Sequence, residues 1–378
     1  MIRIKRVRFG AICSLLLVSL SAIGLAGTAA TPALAGSGGF SSTGSMNVAR
    51  DGHTATLLSN GEVLVIGGFN YTNGYLASAE LYNPAKGKWT LTGSLSFPLA
   101  GYGVVLLQNG EVLVAGGYNP TICCGGAPPL ASAELYNPST GTWTATGSMT
   151  TAREAVGLTL LPNGEVLAAG GENAGGYLNS AELYNPATGT WTATGNMTTA
   201  AAGGAVVLPN GDVFVDDIDI YHPATGTFTA LSAPPPAGVG GPIGLVLNRN
   251  VLTYTGFGGG IYDLSTNQWT IYPRPPCDTA RQNCGAGAAL LNTGILLVAG
   301  GITKVNAQPY PIEETNGLAE LFDPSTLTWA STGKMNKDRI GQSMTLLPNG
   351  QVLVAGGESY DNGVGALRPI ATCELYTP

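Results

Sequence analysis

Three arginines recur at equivalent places along the chain and could bind an anion. Arg50, Arg153 and Arg339 each stand at the entry to the first strand of a repeating unit. A guanidinium group carries several N–H donors in one plane and binds carboxylates through paired hydrogen bonds. These residues therefore suggest a site for a carboxylate or an acidic sugar. The alternative is structural: each arginine would join the segment before a strand to a backbone carbonyl of the next unit, and repetition favours this role.

Adjacent acidic residues form a second candidate. Asp216 and Asp217, with Asp219 close behind, could hold calcium or sugar hydroxyls through their oxygen atoms. A tight turn explains the same residues, because aspartate is common in turns and Asp219 would replace a glutamate that other units carry. Alternation along a strand would also send Asp216 away from the other two. The pattern favours the turn, and we predict no metal site.

Tyrosines are the third candidate. Exposed tyrosines can stack on sugar rings or contact proteins, although tyrosines in loops also pack against their own loops. Five of them lie in segments of irregular length and are candidate ligand-binding residues: Tyr71, Tyr118, Tyr177, Tyr310 and Tyr360.

Groups that could perform catalysis are few. The chain has two histidines, His53 and His222, and they fall in different units. Motifs of serine hydrolases, zinc proteases and phosphate-binding loops are absent. A sugar-active enzyme remains an alternative, because it would need only one of the arginines and a loop carboxylate such as Glu172, Glu313 or Glu314. We predict no catalytic residue and no cofactor, and favour a protein that is not an enzyme.

The first 35 residues have the pattern of a secretory signal peptide. Four basic residues precede an apolar run at 11–27, and Ala33, Leu34 and Ala35 form a cleavage site before Gly36. The run is shorter than the roughly 20 residues that usually span a bilayer. We therefore expect a cleaved leader, no membrane insertion afterwards, and a protein that is secreted or held at the cell surface.

The remaining chain is acidic. Removing four of the 16 basic residues leaves 12 against 23 acidic ones, a net charge of −11 for residues 36–378. Nucleic acids and anionic membranes attract basic surfaces, so neither is an expected partner.

Five cysteines follow the leader. Cys277 and Cys284 bracket a short loop, and in an oxidising compartment we expect them to form a disulfide. Cys123 and Cys124 are adjacent and leave three possibilities open: a strained bond to each other, pairing elsewhere, or free thiols. Cys373 stands where other units have alanine, which indicates a small buried residue.

The whole chain after the leader repeats one pattern of roughly 50 residues. An apolar segment, an Asn-Gly turn, a second apolar run and a Gly-Gly pair are followed by Ala-Glu-Leu-Tyr and a strand that carries tryptophan, most clearly at 58–93, 107–147 and 161–195. Such a repeat is typical of a β-propeller whose blades have four strands. Asn-Gly tolerates positive φ at both central positions, which predicts type I′ turns between the first two strands.

The spacing of tyrosine and tryptophan is the most specific feature. Four units have six residues between the two rings: Tyr82 and Trp89, Tyr136 and Trp143, Tyr184 and Trp191, and Tyr262 and Trp269. Tyr221 with Phe228 and Phe322 with Trp329 keep this spacing with one ring exchanged. Together with the Gly-Gly pair, the spacing resembles the Kelch repeat. The resemblance implies that these rings pack between neighbouring blades. Copper radical oxidases also contain Kelch-like repeats, but they need two histidine and two tyrosine ligands.

Counting the fourth strands predicts an all-β, seven-bladed propeller in one domain, 36–378. The last unit ends after its third strand, so we expect the segment around Phe40 to supply the missing strand and to close the ring. Six blades remain the alternative if units four and five merge. The expected blades are 45–92, 93–146, 147–194, 195–230, 231–272, 273–332, and 333–378 with 37–44.

The second-to-third-strand loops and the links between blades share one face of such a ring. These loops vary in length, whereas the turns on the other face are uniform, and variable loops on a rigid scaffold commonly carry binding sites. Units four and five have short loops, so we expect one low, open sector. The resulting expectation is a secreted, monomeric, non-catalytic protein that binds a glycan or an extracellular protein. A sugar-active enzyme resembling the sialic-acid mutarotases and a structural surface protein remain alternatives.

Overall fold

The protein is an all-β propeller with seven blades. The structure, a computed structural model, describes residues 38–121, 127–202, 204–233, 235–236, 244–247, 250–255, 258–272, 281–282, 286–305, 312–361 and 363–378. Within these ranges the chain forms seven antiparallel sheets of four strands. No described segment forms an apolar helix that is long enough to cross a bilayer.

Blades 1 to 3 contain the clearest repeats. Blade 1 consists of β2 (Thr54–Leu57), β3 (Val63–Ile66), β6 (Ala79–Asn83) and β7 (Lys88–Thr92), with a hairpin of β4 (Phe69–Asn70) and β5 (Gly74–Tyr75). Blade 2 consists of β8 (Ala100–Leu106), β9 (Val112–Tyr118), β10 (Ala133–Asn137) and β11 (Thr142–Thr146). Blade 3 consists of β12 (Gly157–Leu160), β13 (Val166–Ala169), β16 (Ala181–Asn185) and β17 (Thr190–Ala193), with a hairpin of β14 (Glu172–Asn173) and β15 (Gly176–Tyr177).

Blades 4 to 6 follow the same order. Blade 4 consists of β18 (Ala205–Val207), β19 (Val213–Val215), β20 (Asp219–His222) and β21 (Thr227–Ala230). Blade 5 consists of β22 (Gly244–Leu247), β23 (Asn250–Thr255), β24 (Gly258–Asp263) and β25 (Gln268–Tyr272). Blade 6 consists of β27 (Gly287–Leu290), β28 (Leu296–Ala299), β31 (Ala319–Asp323) and β32 (Thr328–Ser331), beside a small sheet of β26 (Arg281–Gln282), β29 (Ile302–Val305) and β30 (Ile312–Thr315).

Blade 7 combines both ends of the chain, as the sequence predicts. It consists of β33 (Ser343–Leu346), β34 (Val352–Ala355), β37 (Cys373–Thr377) and β1 (Gly39–Thr43), with a hairpin of β35 (Glu358–Asp361) and β36 (Ala366–Pro369). Phe40 lies opposite Tyr376 in the β1–β37 pair. The ring is therefore closed by hydrogen bonds between β1 and β37, and β1 covers the edge of β37 that would otherwise be unpaired.

The core consists of one apolar cluster between each pair of neighbouring blades. Alternate residues of a strand point to opposite faces of its sheet. Val63 and Val65 accordingly pack against blade 7, whereas Leu64 and Ile66 pack against blade 2. Second strands such as β3 are apolar throughout because both of their faces are covered.

The tyrosine and tryptophan rings join neighbouring blades, as the resemblance implies. Tyr82 and Trp89 lie opposite each other with ring centroids 5.0 Å apart. The Trp89 indole N–H donates to the carbonyl of Gly44, and the Tyr82 hydroxyl lies 2.7 Å from the Thr43 hydroxyl. Both partners belong to the outer strand of the preceding blade or directly follow it. Corresponding ring pairs occur in blades 2 to 6 and are formed by Tyr136 and Trp143, Tyr184 and Trp191, Tyr221 and Phe228, Tyr262 and Trp269, and Phe322 and Trp329.

The turns between first and second strands differ from the prediction. In blade 1 the N–H of Gly61 donates to the carbonyl of Leu58, and Gly61 has a φ of 84°. Asn60 has no positive φ, so this is not a type I′ turn, which needs positive φ at both central residues. Instead, the Asn60 side-chain oxygen accepts the N–H of Glu62. Glycine is needed at one position only, in the left-handed region that follows the turn.

Raised hairpins make the two faces of the ring unequal. The hairpins of blades 1 and 7 and the small sheet of blade 6 extend from the second-to-third-strand connections, and their strands contact one another from β30 through β35 and β36 to β4. Blade 4 has a turn of three residues at the same place, and β23 and β24 of blade 5 are two residues apart. Blades 6, 7 and 1 therefore form a ridge on the loop face, the side with the second-to-third-strand connections and the links between blades, while blades 4 and 5 stay low.

Candidate functional site

The three recurring arginines are buried, which contradicts their prediction as ligand-binding residues. Arg50, Arg153 and Arg339 are all 0% exposed. Nη1 of Arg50 donates to the carbonyls of Gly67 and Ser78 at 2.7 and 2.9 Å. The arginines therefore match the structural alternative, because each guanidinium joins a link to carbonyls of the blade that the link enters.

A buried carboxylate completes each of these arginine sites. Nη2 of Arg153 lies 2.9 Å from Oε1 of Glu182, and Glu182 also accepts the backbone N–H groups of Thr150 and Thr151. Burial alone would raise the pKa of Glu182, but these hydrogen bonds outweigh burial and hold the pKa below its ordinary value. Burial lowers the pKa of Arg153 and its carboxylate partner opposes that shift. The signal that sequence reasoning missed is the glutamate of the repeated Ala-Glu-Leu-Tyr segment, which reads Cys-Glu-Leu-Tyr in blade 7.

Carboxyl groups lie where the arginines were expected, at the entry to the innermost strands. Asp51 pairs with Phe69, and Glu154 pairs with Glu172. Burial, reinforced by the charge of Glu358, raises the pKa of Asp51 to about 7. Burial and then the charge of Glu172 raise the pKa of Glu154. This part of the loop face is therefore acidic rather than basic.

A pocket of about 310 Å³ opens on the loop face between blades 7 and 1. Its wall comprises the link before β2, the tip of the β4–β5 hairpin and the end of β36, and it includes Asn47, Thr72, Asn73 and Pro369. Small-molecule sites usually measure roughly 300–1,000 Å³, so the volume suits one small unit such as a sugar ring.

Asn70 fixes the hairpin that forms one wall of this pocket. Its side-chain oxygen accepts the backbone N–H groups of Thr72 and Asn73 at 3.0 and 2.7 Å. Its side-chain nitrogen donates to the carbonyl of Ala49 in the link at 2.9 Å. Both walls are thus joined through one buried side chain, and Tyr71 is presented between Asn70 and Thr72.

Tyr71, one of the predicted residues, lies in this pocket with Arg368. The Tyr71 side chain is 56% exposed and its ring meets the edge of Phe69 at 5.3 Å. The guanidinium carbon of Arg368, which belongs to blade 7, lies 4.9 Å from the Tyr71 ring centroid. Sequence reasoning missed Arg368 because it belongs to no repeated position and meets Tyr71 only through ring closure.

Three of the other predicted tyrosines, Tyr118, Tyr177 and Tyr360, do not line this pocket. Tyr177 is 61% exposed on the β14–β15 hairpin of blade 3. Tyr118 is half-buried in blade 2, where it pairs with Pro129, and Tyr360 is half-buried in β35. Tyr310 lies outside the described residues. The four described tyrosines therefore lie in separate parts of the loop face.

Asp216 and Asp217 form a tight turn between β19 and β20. Their φ values are 48° and 57°, in the left-handed region that the Gly-Gly pair occupies in other blades. Asp219 takes the place of the usual glutamate and accepts the N–H and hydroxyl of Thr198 at 2.8 and 2.6 Å. The turn alternative thus matches the geometry of all three aspartates.

The two histidines are separated and neither adjoins a set of metal ligands. Nε2 of His53 lies 2.9 Å from the Ser343 hydroxyl in the core, and burial lowers the pKa of His53 to about 3. His222 lies 3.0 Å from Asp212 in blade 4. In the part of the chain that the structure describes, no three His, Cys, Asp or Glu residues are grouped to hold a metal ion.

Cys373 is buried, as predicted, and it is a free thiol whose pKa burial raises to about 11. Cys123, Cys124, Cys277 and Cys284 lie outside the described residues, so the disulfide between Cys277 and Cys284 stays a prediction.

Comparisons with known proteins agree with this architecture. The family model described as Kelch motif matches residues 52–96, 101–150 and 160–198, which correspond to blades 1 to 3. No match was found among curated proteins. A solved structure described as a fungal alcohol oxidase of the AA5 family, in complex with copper, is similar with a TM-score of 0.61 and 17% identity, covering 91% of this chain and 77% of that chain.

This structural likeness concerns the fold alone. In the present chain His53 and His222 lie in different blades and contact Ser343 and Asp212. They do not fit a copper ion that needs two histidines at one centre, so the oxidase says nothing further about this site.

Proposed function

We propose that this chain is a non-catalytic propeller that binds an extracellular glycan through its loop face. The pocket between blades 7 and 1 carries this proposal. It combines a small concave volume with the aromatic Tyr71, the cationic Arg368 and the amide of Asn73. A few polar groups beside an aromatic surface are what a sugar-binding site requires.

The scaffold supports this role because it holds the pocket still. The hairpins that form the walls are anchored in two sheets, and Asn70 bonds one wall to the link. A rigid site loses less conformational entropy when a ligand binds. The Kelch-like propeller fold itself supports a binding or scaffold role.

The sugar-active alternative is weaker after the arginines are placed. It relied on Arg50, Arg153 or Arg339 next to Glu172, Glu313 or Glu314. All three guanidinium groups are enclosed and already paired with their own glutamates. The side chains of Glu313 and Glu314 lie outside the described part of the structure. We therefore do not retain this alternative as a second candidate.

Secretion belongs to the same proposal. The basic start, the short apolar run and the cleavage pattern before Gly36 support export. Mass spectrometry of the protein from the culture medium and from the cell should find Gly36 as the first residue of the exported form. A protein that remains inside the cell with residues 1–35 attached would contradict this part of the proposal.

A glycan array tests the binding function. The purified wild-type protein is compared with Tyr71→Ala and with Tyr177→Ala, which removes an equally exposed tyrosine from another blade of the same face. We expect binding to at least one glycan class, a loss in Tyr71→Ala and no change in Tyr177→Ala. Anomer interconversion at a catalytic rate would overturn the proposal in favour of an enzyme. Absence of glycan binding together with capture of an extracellular protein or of cell-wall material would also overturn it.

A further inference from the structure

Arg368 differs from the repeated arginines because its guanidinium is available. The residue is exposed on β36, opposite Ser359 in the β35–β36 hairpin. Among the described residues it makes no ion pair, and its guanidinium carbon lies 4.9 Å from the centroid of the Tyr71 ring. The guanidinium of Arg50, in contrast, already donates to the carbonyls of Gly67 and Ser78. It also donates to the Ser78 hydroxyl and to the Glu80 carboxylate.

The contact with Tyr71 restrains this arginine before any ligand arrives. A cation over an aromatic face is attracted by the negative face of the ring. Tyr71 is itself held between Phe69 and the turn that Asn70 caps. A guanidinium held in this way loses less freedom per hydrogen bond when it binds a ligand. Tyr71 is thus a positioning residue for Arg368.

Donors and acceptors for hydroxyl groups lie beside this cation. The side chains of Thr72 and Asn73 line the same pocket, and neither is hydrogen-bonded to another described residue. Asn47 and Asn70, in contrast, are already bonded to Glu80 and to the backbone of Ala49. The pocket therefore offers a fixed cation at one side and uncommitted polar groups at the other.

Building on the glycan-binding function proposed above, we propose that this pocket binds a sugar ring that carries a carboxylate, of the uronic acid type. Arg368 binds the carboxylate, because its planar donors match two carboxylate oxygens. Thr72 and Asn73 bind ring hydroxyls. The volume of about 310 Å³ limits the site to one such ring rather than a longer segment of chain.

The experiment measures affinity for a trisaccharide of uronic acid residues, for its methyl ester and for a sulfated trisaccharide. The ester keeps the shape and removes the charge. The variants are Arg368→Leu, Arg368→Lys and Tyr71→Phe. Lys337→Leu is the matched control, because it removes one exposed positive charge from a link on the same face, outside the pocket. Melting temperatures verify that each variant is folded.

We expect Arg368→Leu to weaken binding of the acid about 10- to 100-fold, since hydrogen bonds to charged groups are the strong ones. The wild type should bind the methyl ester as weakly as Arg368→Leu binds the acid. Arg368→Lys should fall between these limits, and Tyr71→Phe and Lys337→Leu should bind like the wild type.

The outcomes separate this inference from the proposed function. If glycans bind and Arg368→Leu has no effect, the inference fails while glycan binding stands. If the sulfated sugar binds as tightly as the acid or more tightly, the assignment to a carboxylate is wrong. If no sugar of any charge binds, the proposed function fails and the inference fails with it.

Discussion

Arg50 and Glu80 form an ion pair that is closed to solvent. Nη2 of the arginine lies 2.9 Å from Oε1 of the glutamate, and both side chains are 0% exposed. Glu80 also accepts the backbone N–H groups of Asn47 and Val48 in the link before β2. The pair thus holds the link to the blade, and equivalent pairs recur in blades 3 and 7.

Arg50→Leu should destabilise the protein strongly, because it leaves the Glu80 carboxylate buried without its cation. Losing one partner of a buried pair typically costs about 3–5 kcal/mol. Blade 2 supplies the natural comparison: Leu99 stands at the arginine position there, and Glu134 is held by Ser96. Urea unfolding of Arg50→Leu and of the double variant Arg50→Leu with Glu80→Gln measures the effect. The double variant should recover at least half of the loss, and a loss below about 1 kcal/mol in the single variant would contradict the prediction.

Asp51→Asn should remove part of the dependence of stability on pH. The pKa of Asp51 in the folded protein is raised to about 7, while in the unfolded chain it is near 3.8. The folded state therefore keeps the proton to higher pH than the unfolded chain does. The stability that Asp51 contributes is fully present below pH 4 and is lost as pH rises through 7. Asparagine stays neutral at every pH. At pH 8 the free energy of unfolding of Asp51→Asn should therefore exceed that of the wild type by about 2–4 kcal/mol.

The test for Asp51 measures the free energies of unfolding of the wild type and of Asp51→Asn at several pH values from 4 to 8. The difference between the two proteins is then followed across this range. His53 has the opposite sign: its pKa is lowered to about 3, so its contribution is lost as pH falls. That term is present in both proteins and largely cancels in the difference. Two curves that stay parallel across this range would show that Asp51 does not hold a proton in the folded state.

Ala155→Gly should stabilise the protein by about 0.5–1 kcal/mol. Ala155 has a φ of 51°, in the left-handed region that costs a residue with Cβ about 1–2 kcal/mol. Glycine stands at the equivalent position as Gly52, Gly101 and Gly341 in blades 1, 2 and 7. Gly52→Ala is the reverse control, because a Cβ there would meet no atom within 4 Å and only the backbone would be strained. A melting temperature of Ala155→Gly below that of the wild type would contradict the presence of backbone strain at Ala155.

The architecture could be predicted because its causes repeat along the chain. The distance from Tyr82 to Trp89 places both rings on adjacent strands, and the same spacing in other units reveals the blades. The strand near Phe40 could be predicted because the last unit lacks a fourth strand. The turn type was predicted wrongly, since Asn60 acts through its side chain rather than through positive φ.

The pocket between blades 7 and 1 could not be predicted from the sequence, because it depends on contacts between distant residues. The sequence does not show that the guanidinium of Arg50 pairs with Glu80, which lies 30 residues further along the chain. Arg368 and Tyr71 are separated by almost the whole chain and meet only after the ring closes. Repetition correctly favoured a structural role for Arg50, Arg153 and Arg339, whereas the contact between Arg368 and Tyr71 leaves no periodic pattern that sequence reasoning could find.

Cys373 should resist alkylation in the folded protein. Burial raises the pKa of its thiol to about 11, and the residue is 2% exposed. The thiolate is the reactive form, so iodoacetamide at pH 8 should modify Cys373 only after unfolding. Peptide mapping before and after addition of guanidinium chloride gives the two rates. Equal rates would contradict the burial of this thiol.

Phe40→Trp should strengthen the closure of the ring, and Phe40→Ala should weaken it. Phe40 packs against Tyr376 with ring centroids 4.9 Å apart. In blades 1 to 3 the equivalent tryptophan also donates to a glycine carbonyl, as Trp143 does to Gly93. In blade 7 the corresponding glycine is Gly333, whose N–H bonds Gly38 in the way that Gly93 bonds Gly141.

The indole of Phe40→Trp should therefore reach the Gly333 carbonyl and add up to about 1 kcal/mol. Phe40→Ala removes the half-buried ring and should cost about 2 kcal/mol. Ser41→Ala, on the same strand with its side chain exposed, is the control and should stay within about 0.5 kcal/mol of the wild type. Thermal unfolding of the wild type and the three variants ranks their stabilities. If Phe40→Ala unfolds together with Ser41→Ala and the wild type, β1 does not hold the ring closed.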